Sequence, residues 1–178
     1  MKSWKTLSKE PMLDMSPFLQ VESHTIQLPD GQIVKNWPWL ISPDFVNVVA
    51  LTAESEYLCF RQTKYSISGI TLAPVGGYID PGEMPLTAAK RELLEETGYK
   101  APHWENLGKF SVDGNRGNGV AYFFLARDAF QVTEPNADDL EEQALMILSR
   151  AEVEAAVMRG AFKVLPWQAI MAIALLRC

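Results

Sequence analysis

Residues 77–99, GYIDPGEMPLTAAKRELLEETGY, carry a set of identities at fixed spacing that constrains the fold more than any other part of the chain. Five residues separate Gly77 from Glu83, and seven more separate Glu83 from Arg91-Glu92-Leu93-x-Glu95-Glu96-x-Gly98. At average residue usages such a string arises on the order of once in 10^8 windows, so chance is a poor explanation. Pro85 sets a helical φ at the first turn, and Leu86 to Thr97 holds no Gly or Pro, so the spacing predicts a helix there. At 100° per residue, Glu92, Glu95 and Glu96 fall within about one third of the circumference, with Leu86 and Leu93 roughly opposite. One face is apolar and the other carries carboxylates. Arg91 stands four residues before Glu95, within helical ion-pair reach, and can hold that carboxylate in place.

Like charges crowded on one arc repel each other and require compensation. Lys90 and Arg91 are too few for a cluster that also takes in Glu83 from the preceding loop. A hard divalent cation supplies the missing charge, and Mg²⁺ bridges protein carboxylates to substrate phosphates. In the loop Pro74-Val75-Gly76-Gly77, glycine lets backbone approach such a site closely. The alternative is an ordinary helix with its acids facing water. The accompanying Gly77, Glu83, Arg91 and Gly98 favour a metal–phosphate site instead.

This segment resembles the signature of the Nudix family, hydrolases of nucleoside diphosphates linked to another group. Tyr99 stands where that family prefers an aliphatic residue. Over roughly residues 18–177 the chain is similar to the ADP-ribose pyrophosphatase and nucleoside-diphosphate-sugar hydrolase branch. The residues that carry this are Phe60-Arg61-Gln62-x-Lys64-Tyr65, Leu72-Ala73-Pro74-Val75-Gly76-Gly77, Phe123-Phe124-Leu125-Ala126-Arg127 and the acidic run before Ala144. The resemblance implies that the Gly76 carbonyl and Glu92, Glu95 and Glu96 form or serve a metal site. It also implies a further ligand from Ala137-Asp138-Asp139-Leu140-Glu141-Glu142, with Glu141 as ligand, or Glu142 if the register slips by one, and Asp139 near the general base. Glu95 competes for the role of base, and Arg91 serves the catalytic carboxylates. The branch is usually homodimeric, with N-terminal strands reaching the partner's nucleotide pocket, a role that Trp37 and Trp39 suit as well as they suit plain interface packing. Three departures leave the substrate open: Leu72 where the branch often has Glu, Lys64 where it often has Arg, and Asp113-Gly114 in place of Pro-Gly.

The implied activity is Mg²⁺-dependent (or Mn²⁺-dependent) hydrolysis of ADP-ribose or a nucleotide sugar, releasing a nucleoside monophosphate and a phosphorylated product. Arg61 and Lys64 are the phosphate contacts, and Glu83 and Trp37 complete the substrate-binding set. The alternatives are dinucleoside polyphosphates or oxidised nucleoside triphosphates as substrates, or a catalytically silent nucleotide-binding module. An isomerase acting on an isoprenoid diphosphate would need a pocket Cys–Glu pair, which nothing around Cys59 supplies.

Composition narrows the class. The chain of 178 residues, 48% hydrophobic with mixed charge, fits a globular protein with a real core. A net charge of −6 argues against a surface that coats nucleic acid, yet leaves a small nucleotide open because a metal can mediate phosphate binding. Two cysteines, Cys59 and Cys178, make no disulfide framework and fit a reducing compartment. The first residues lack the apolar core of a secretion signal, and the apolar run Ala169 to Leu176 is too short to span a bilayer. A cytoplasmic protein with no membrane partner is expected. His24 and His103 read as structural or exposed rather than catalytic.

Alternation over residues 18–28 and the turn Pro29-Asp30-Gly31 predict an N-terminal hairpin, with Trp37-Pro38-Trp39 breaking the pattern. Further strands are expected at 45–53, 57–63, 70–72, 76–79, 104–112, 119–126 and 144–148. Ser149 should cap a helix running to about Met158, and Pro166 should open a closing one. Strands and helices mix without regular βαβ alternation. That predicts an α/β (α+β) fold, an α/β/α sandwich around a mixed sheet, with residues 1–40 as a small β extension that can form a dimer and 41–178 as the hydrolase domain.

Overall fold

The computed structural model describes residues 1–136 and 142–178. Along the chain come β1 (Lys5–Met15), β2 (Leu19–Gln27), β3 (Ile33–Ile41), β4 (Phe45–Thr52), β5 (Tyr57–Gln62), β6 (Thr71–Ala73) and α1 (Pro85–Thr97). They are followed by β7 (Tyr99–Lys100), β8 (His103–Asp113), β9 (Gly117–Gln131), β10 (Gln143–Leu148), α2 (Arg150–Met158) and α3 (Leu165–Leu175). The chain divides into two units, Met1–Asp44 with Phe110–Val120, and Phe45–Lys109 with Ala121–Cys178.

The second unit is built on β4, a Val-rich strand buried along almost its whole length. Its side chains alternate between two cores. Val46, Val48 and Ala50 join Leu58 and Phe60 of β5 and meet Ala88, Ala89 and Leu93 of α1. Val49 and Leu51 join Tyr57 and Cys59 and meet Val153 and Ala156 of α2 and Ile170, Met171 and Ala174 of α3. The strands run in the order β9-β4-β5-β10. β4 is parallel to β9, and β5 is antiparallel to β4, β6 and β10. A mixed sheet with α1 on one face and α2 and α3 on the other is the sandwich expected from the sequence. Burial pushes the Cys59 thiol up to about 12, so it is a protonated core side chain.

Helix boundaries follow the local chemistry. Ser149 caps α2 through a capping box in which its hydroxyl accepts from the Glu152 amide while the Glu152 carboxylate accepts from the Ser149 amide. Pro85 and Pro166 sit in the first turns of α1 and α3, where a missing N–H leaves no gap. Among the described residues no helix is long and apolar enough to cross a membrane.

The first unit is the antiparallel meander β1-β2-β3, with the start of β9 running parallel to β3 at Leu40↔Gly117. Its aromatic residues collect on one side. Trp4 meets Trp37 edge-on with ring centroids 5.6 Å apart, and His24 stacks on Trp39 at 5.3 Å. Trp37 Nε1 donates to the Asn115 carbonyl at 2.8 Å.

Three details differ from the sequence reading. β1 was not foreseen; all its side chains are exposed, so it shows no alternation to read. β3 continues through Trp37-Pro38-Trp39, because β9 meets β3 only at Leu40 and the absent Pro38 N–H costs no ladder bond on that side. Residues 76–79 form no strand. They stay in one register with β4 through the bridges Val48↔Val75 and Phe45↔Tyr78, with the ladder interrupted at the two glycines.

Candidate active site

Helix α1 is fixed by its apolar face, on which Ala88, Ala89, Leu93 and Thr97 are fully buried. Burying Leu93 alone contributes about 2 kcal/mol. Leu86, expected on the same side, is exposed at the first turn. The helix ends at Gly98, whose φ of 75° lies in the left-handed region and whose N–H returns to the Leu94 carbonyl at 2.8 Å. A Cβ at Gly98 would overlap the Thr133 carbonyl, because residues 132–136 are laced to this end of the helix. Val132 and Thr133 donate to the Gly98 carbonyl, and Asn136 donates to the Glu95 carbonyl at 2.8 Å. The segment that precedes the acidic run is thereby tied to the C-terminal turn of α1. Asp139 and Glu141, expected as base and ligand, lie outside the described residues. Glu142 is exposed just before β10.

The polar face is organised by Arg91. Its Nε and Nη2 donate to the two oxygens of Glu83 at 3.1 and 3.0 Å, a bidentate fork. Its Nη1 donates to Glu92 at 2.7 Å and to Glu95 at 3.1 Å, and its Nη2 also reaches the Tyr78 carbonyl at 3.0 Å. One guanidinium therefore gathers three carboxylates and a main-chain oxygen. The hydrogen bonds that Arg91 donates hold the Glu83 carboxyl below its ordinary value, and their acceptance by Glu83, Glu92 and Glu95 holds Arg91 charged far above its own. Glu83 also caps its own loop by accepting from the Asp80 amide at 3.2 Å.

Glu96 turns toward the glycine loop and accepts from the Gly76 amide at 3.0 Å. Gly77 lies against Glu92 so closely that a Cβ there would overlap the carboxylate. Gly76 lies over β4, where a Cβ would collide with the Val46 carbonyl and the Asn47 side chain. The sequence reading passed over Asn47. It is buried, and its Oδ1 has no hydrogen-bond partner among the described residues. The signal was a lone amide inside the apolar run Phe45–Thr52.

The remaining expected residues fall elsewhere. Arg61 follows Phe60 on β5 and lies on the α2–α3 face, among Met146, Leu148 and Arg159, whereas α1 packs on the other face. Lys64 lies in the loop after β5, half-buried. Trp37 belongs to the first unit, in a cavity of 510 Å³ that also holds Trp4, His24 and Trp39.

The donor chemistry here fits a hard divalent cation. Glu92, Glu95, Glu96 and the Gly76 carbonyl offer oxygen only, the set that Mg²⁺ or Mn²⁺ takes and zinc does not favour. Glu95 and Glu96 also sit in the last turn of α1, where no basic residue answers the negative end of the helix dipole. In the conformation described, these carboxylates are shared between Arg91 and the Gly76 amide, and among the described residues no three acidic, His or Cys side chains are grouped so that they could hold a metal ion.

The NUDIX domain model matches residues 43–168. The chain is 27% identical to the methanol dehydrogenase activator of Bacillus methanolicus over 139 residues, 78% of this chain and 72% of that one. It is 26% identical to the ADP-ribose pyrophosphatase of Bacillus subtilis (strain 168) over 138 residues, 78% of this chain and 74% of that one. The crystal structure of an ADP compounds hydrolase superposes with a TM-score of 0.81 at 20% identity, covering 98% of this chain and 93% of that one, which shows a shared fold. With the helix of Arg91 and its glutamates inside the matched region, the chain belongs to the Nudix family and is a pyrophosphatase of that class of hydrolases.

Proposed function

We propose that the protein hydrolyses a nucleoside diphosphate linked to another moiety, with ADP-ribose or a nucleotide sugar as substrate and Mg²⁺ or Mn²⁺ as cofactor. Water adds across the phosphoric anhydride, so a nucleoside monophosphate and a phosphorylated second product leave. The observation that carries this reading is the Arg91 hub, which holds Glu83, Glu92 and Glu95 together while Glu96 rests on the Gly76 amide. The similarity to an ADP-ribose pyrophosphatase supports the choice of substrate.

Glu92, Glu95, Glu96 and the Gly76 carbonyl would hold the cation, joined by Glu141 from the acidic run. When bound, the divalent ion supplies charge neutralisation of the diphosphate and a lowered pKa for water. Glu95, the most exposed of the helix carboxylates that Arg91 touches, or Asp139 takes the proton from the attacking water. Arg91 keeps Glu92 and Glu95 oriented. Lys64 offers a point charge to a phosphate oxygen. In a homodimer, Trp37 of the partner copy offers an aromatic face to the base.

Product release from ADP-ribose, ADP-glucose, GDP-mannose and dinucleoside polyphosphates, with Mg²⁺ or with EDTA, tests this. Cation-dependent AMP release from ADP-ribose or ADP-glucose is expected. No turnover of any member with Mg²⁺ or Mn²⁺ rejects the reading.

A further inference from the structure

The face of the central sheet away from α1 carries a groove of 620 Å³ between β5, β6, β10 and α2. That is the size range of small-molecule sites. Its floor is apolar, made by Leu72, Met146 and Leu148, and its rim carries Arg61, Arg159 and Lys163. The chain as a whole is acidic, with 22 Asp and Glu against 16 Lys and Arg, so three cations around one concavity run against the average. The groove has one acidic residue, Glu152, and its carboxylate is committed to the amide and hydroxyl of Ser149 in the cap of α2. Glu142 lines a smaller cavity of 180 Å³ that Arg61 also borders, and no ion pair joins the two among the described residues.

The two arginines are not spent on structure. Among the described residues neither the Arg61 nor the Arg159 guanidinium has a hydrogen-bond or ion-pair partner, unlike Arg91, Arg127 and Arg150. Lys163 gives one of its three protons to the Ser68 carbonyl at 2.8 Å and keeps two. Isolated exposed arginines are normally just solvated. Here two uncommitted forks open onto one greasy concavity, the pattern that recognises an anionic head on an apolar body. A carboxylate needs one fork; a phosphate can take two.

We propose that this groove is a second ligand site, distinct from the α1 carboxylates, that binds a small organic phosphate. Arg61 and Arg159 take the phosphate, Lys163 adds charge at the rim, and the organic part covers Leu72, Met146 and Leu148. The site needs no divalent cation, because the protein itself supplies the positive charge.

Calorimetric titration of the full-length protein with AMP in excess EDTA tests this. One binding event is expected, weakened at least tenfold by Arg159→Gln and again by Arg61→Gln, and unchanged by Glu95→Gln or Glu96→Gln. Inorganic phosphate should bind more weakly than AMP because it has no body to cover the floor. Thermal melting of each variant checks the fold; Arg159 is exposed, so its replacement should melt as the wild type does. No binding of AMP at millimolar concentration overturns the proposal. So does binding that resists both arginine variants, binding that the glutamate variants abolish, or equal affinity for inorganic phosphate.

Discussion

The two faces of the β9-β4-β5-β10 sheet are held by opposite means. On the α2–α3 side, order comes from hydrocarbon. Ile170, Met171, Ala174, Val153 and Ala156 are fully buried, and shape decides their places. On the α1 side, a small apolar seam of Ala88, Ala89 and Leu93 anchors the helix, and its outer surface is set by Arg91 and the acids around it. The first kind of order stabilises and tolerates loss of a methyl group at a graded cost. The second kind positions charge, and losing one member changes the hydrogen bonding and direction of the rest. Stability and chemistry should therefore come apart under mutation.

The widest separation is expected at the glutamates. Glu95→Gln and Glu96→Gln should each lower kcat/KM on the best substrate by about 10^2 to 10^4, with melting temperature nearly unchanged, because a proton acceptor or cation ligand is lost without a cavity. Paired activity and melting measurements check this. Wild-type activity in both variants removes the chemical role from this face.

Ile170→Ala, on the opposite face, should do the reverse. Ile170 is fully buried, so the change should cost about 2–5 kcal/mol in urea unfolding while the folded enzyme keeps its kcat.

Arg91→Met should affect both properties. It strands Glu83 and Glu92, whose side chains are only 13% and 12% exposed, without their cation. A loss of about 3 kcal/mol is expected, together with reduced turnover. Its pH dependence has a definite sign. Arg91 depresses the Glu83 pKa in the folded state, so the pairing stabilises fully above the unfolded carboxylate value of about 4.3 and fades as pH falls through the lower folded value. The gap between wild type and Arg91→Met in urea midpoint should narrow on acidification below that range. A gap that widens there would mean Glu83 is not the partner that matters.

A small stability change is expected at Gly77→Ala. The new Cβ meets the end of a flexible side chain, Glu92, which can swing away, so unfolding should move by less than about 1 kcal/mol while activity falls. Gly98→Ala is the contrast, since the obstruction there is the Thr133 backbone and φ is 75°, and it should destabilise strongly.

The α1 face was readable from sequence because its parts lie within one stretch, residues 76–98, where helical geometry alone places Arg91 beside Glu95. The exposed β1 could not be read, because a strand with water on both faces has no period. Arg61 was legible as a cation next to a strand, and its face was not. Which way it points depends on the alternation of Tyr57, Leu58, Cys59 and Phe60 between two cores, settled only when α1 and α2 take opposite sides. The tie from Asn136 to Glu95 and the buried Asn47 amide likewise depend on contacts distant in sequence.

Titration of the full-length protein with Mn²⁺, followed by the loss of its free-ion paramagnetic resonance signal, addresses the carboxylate face directly and without reference to any substrate. Wild type should take up Mn²⁺ and release it to excess Mg²⁺, and a Glu92→Gln, Glu96→Gln double variant should bind at least tenfold more weakly while melting as wild type does. Uptake that is the same in both proteins would contradict a divalent-ion site on α1.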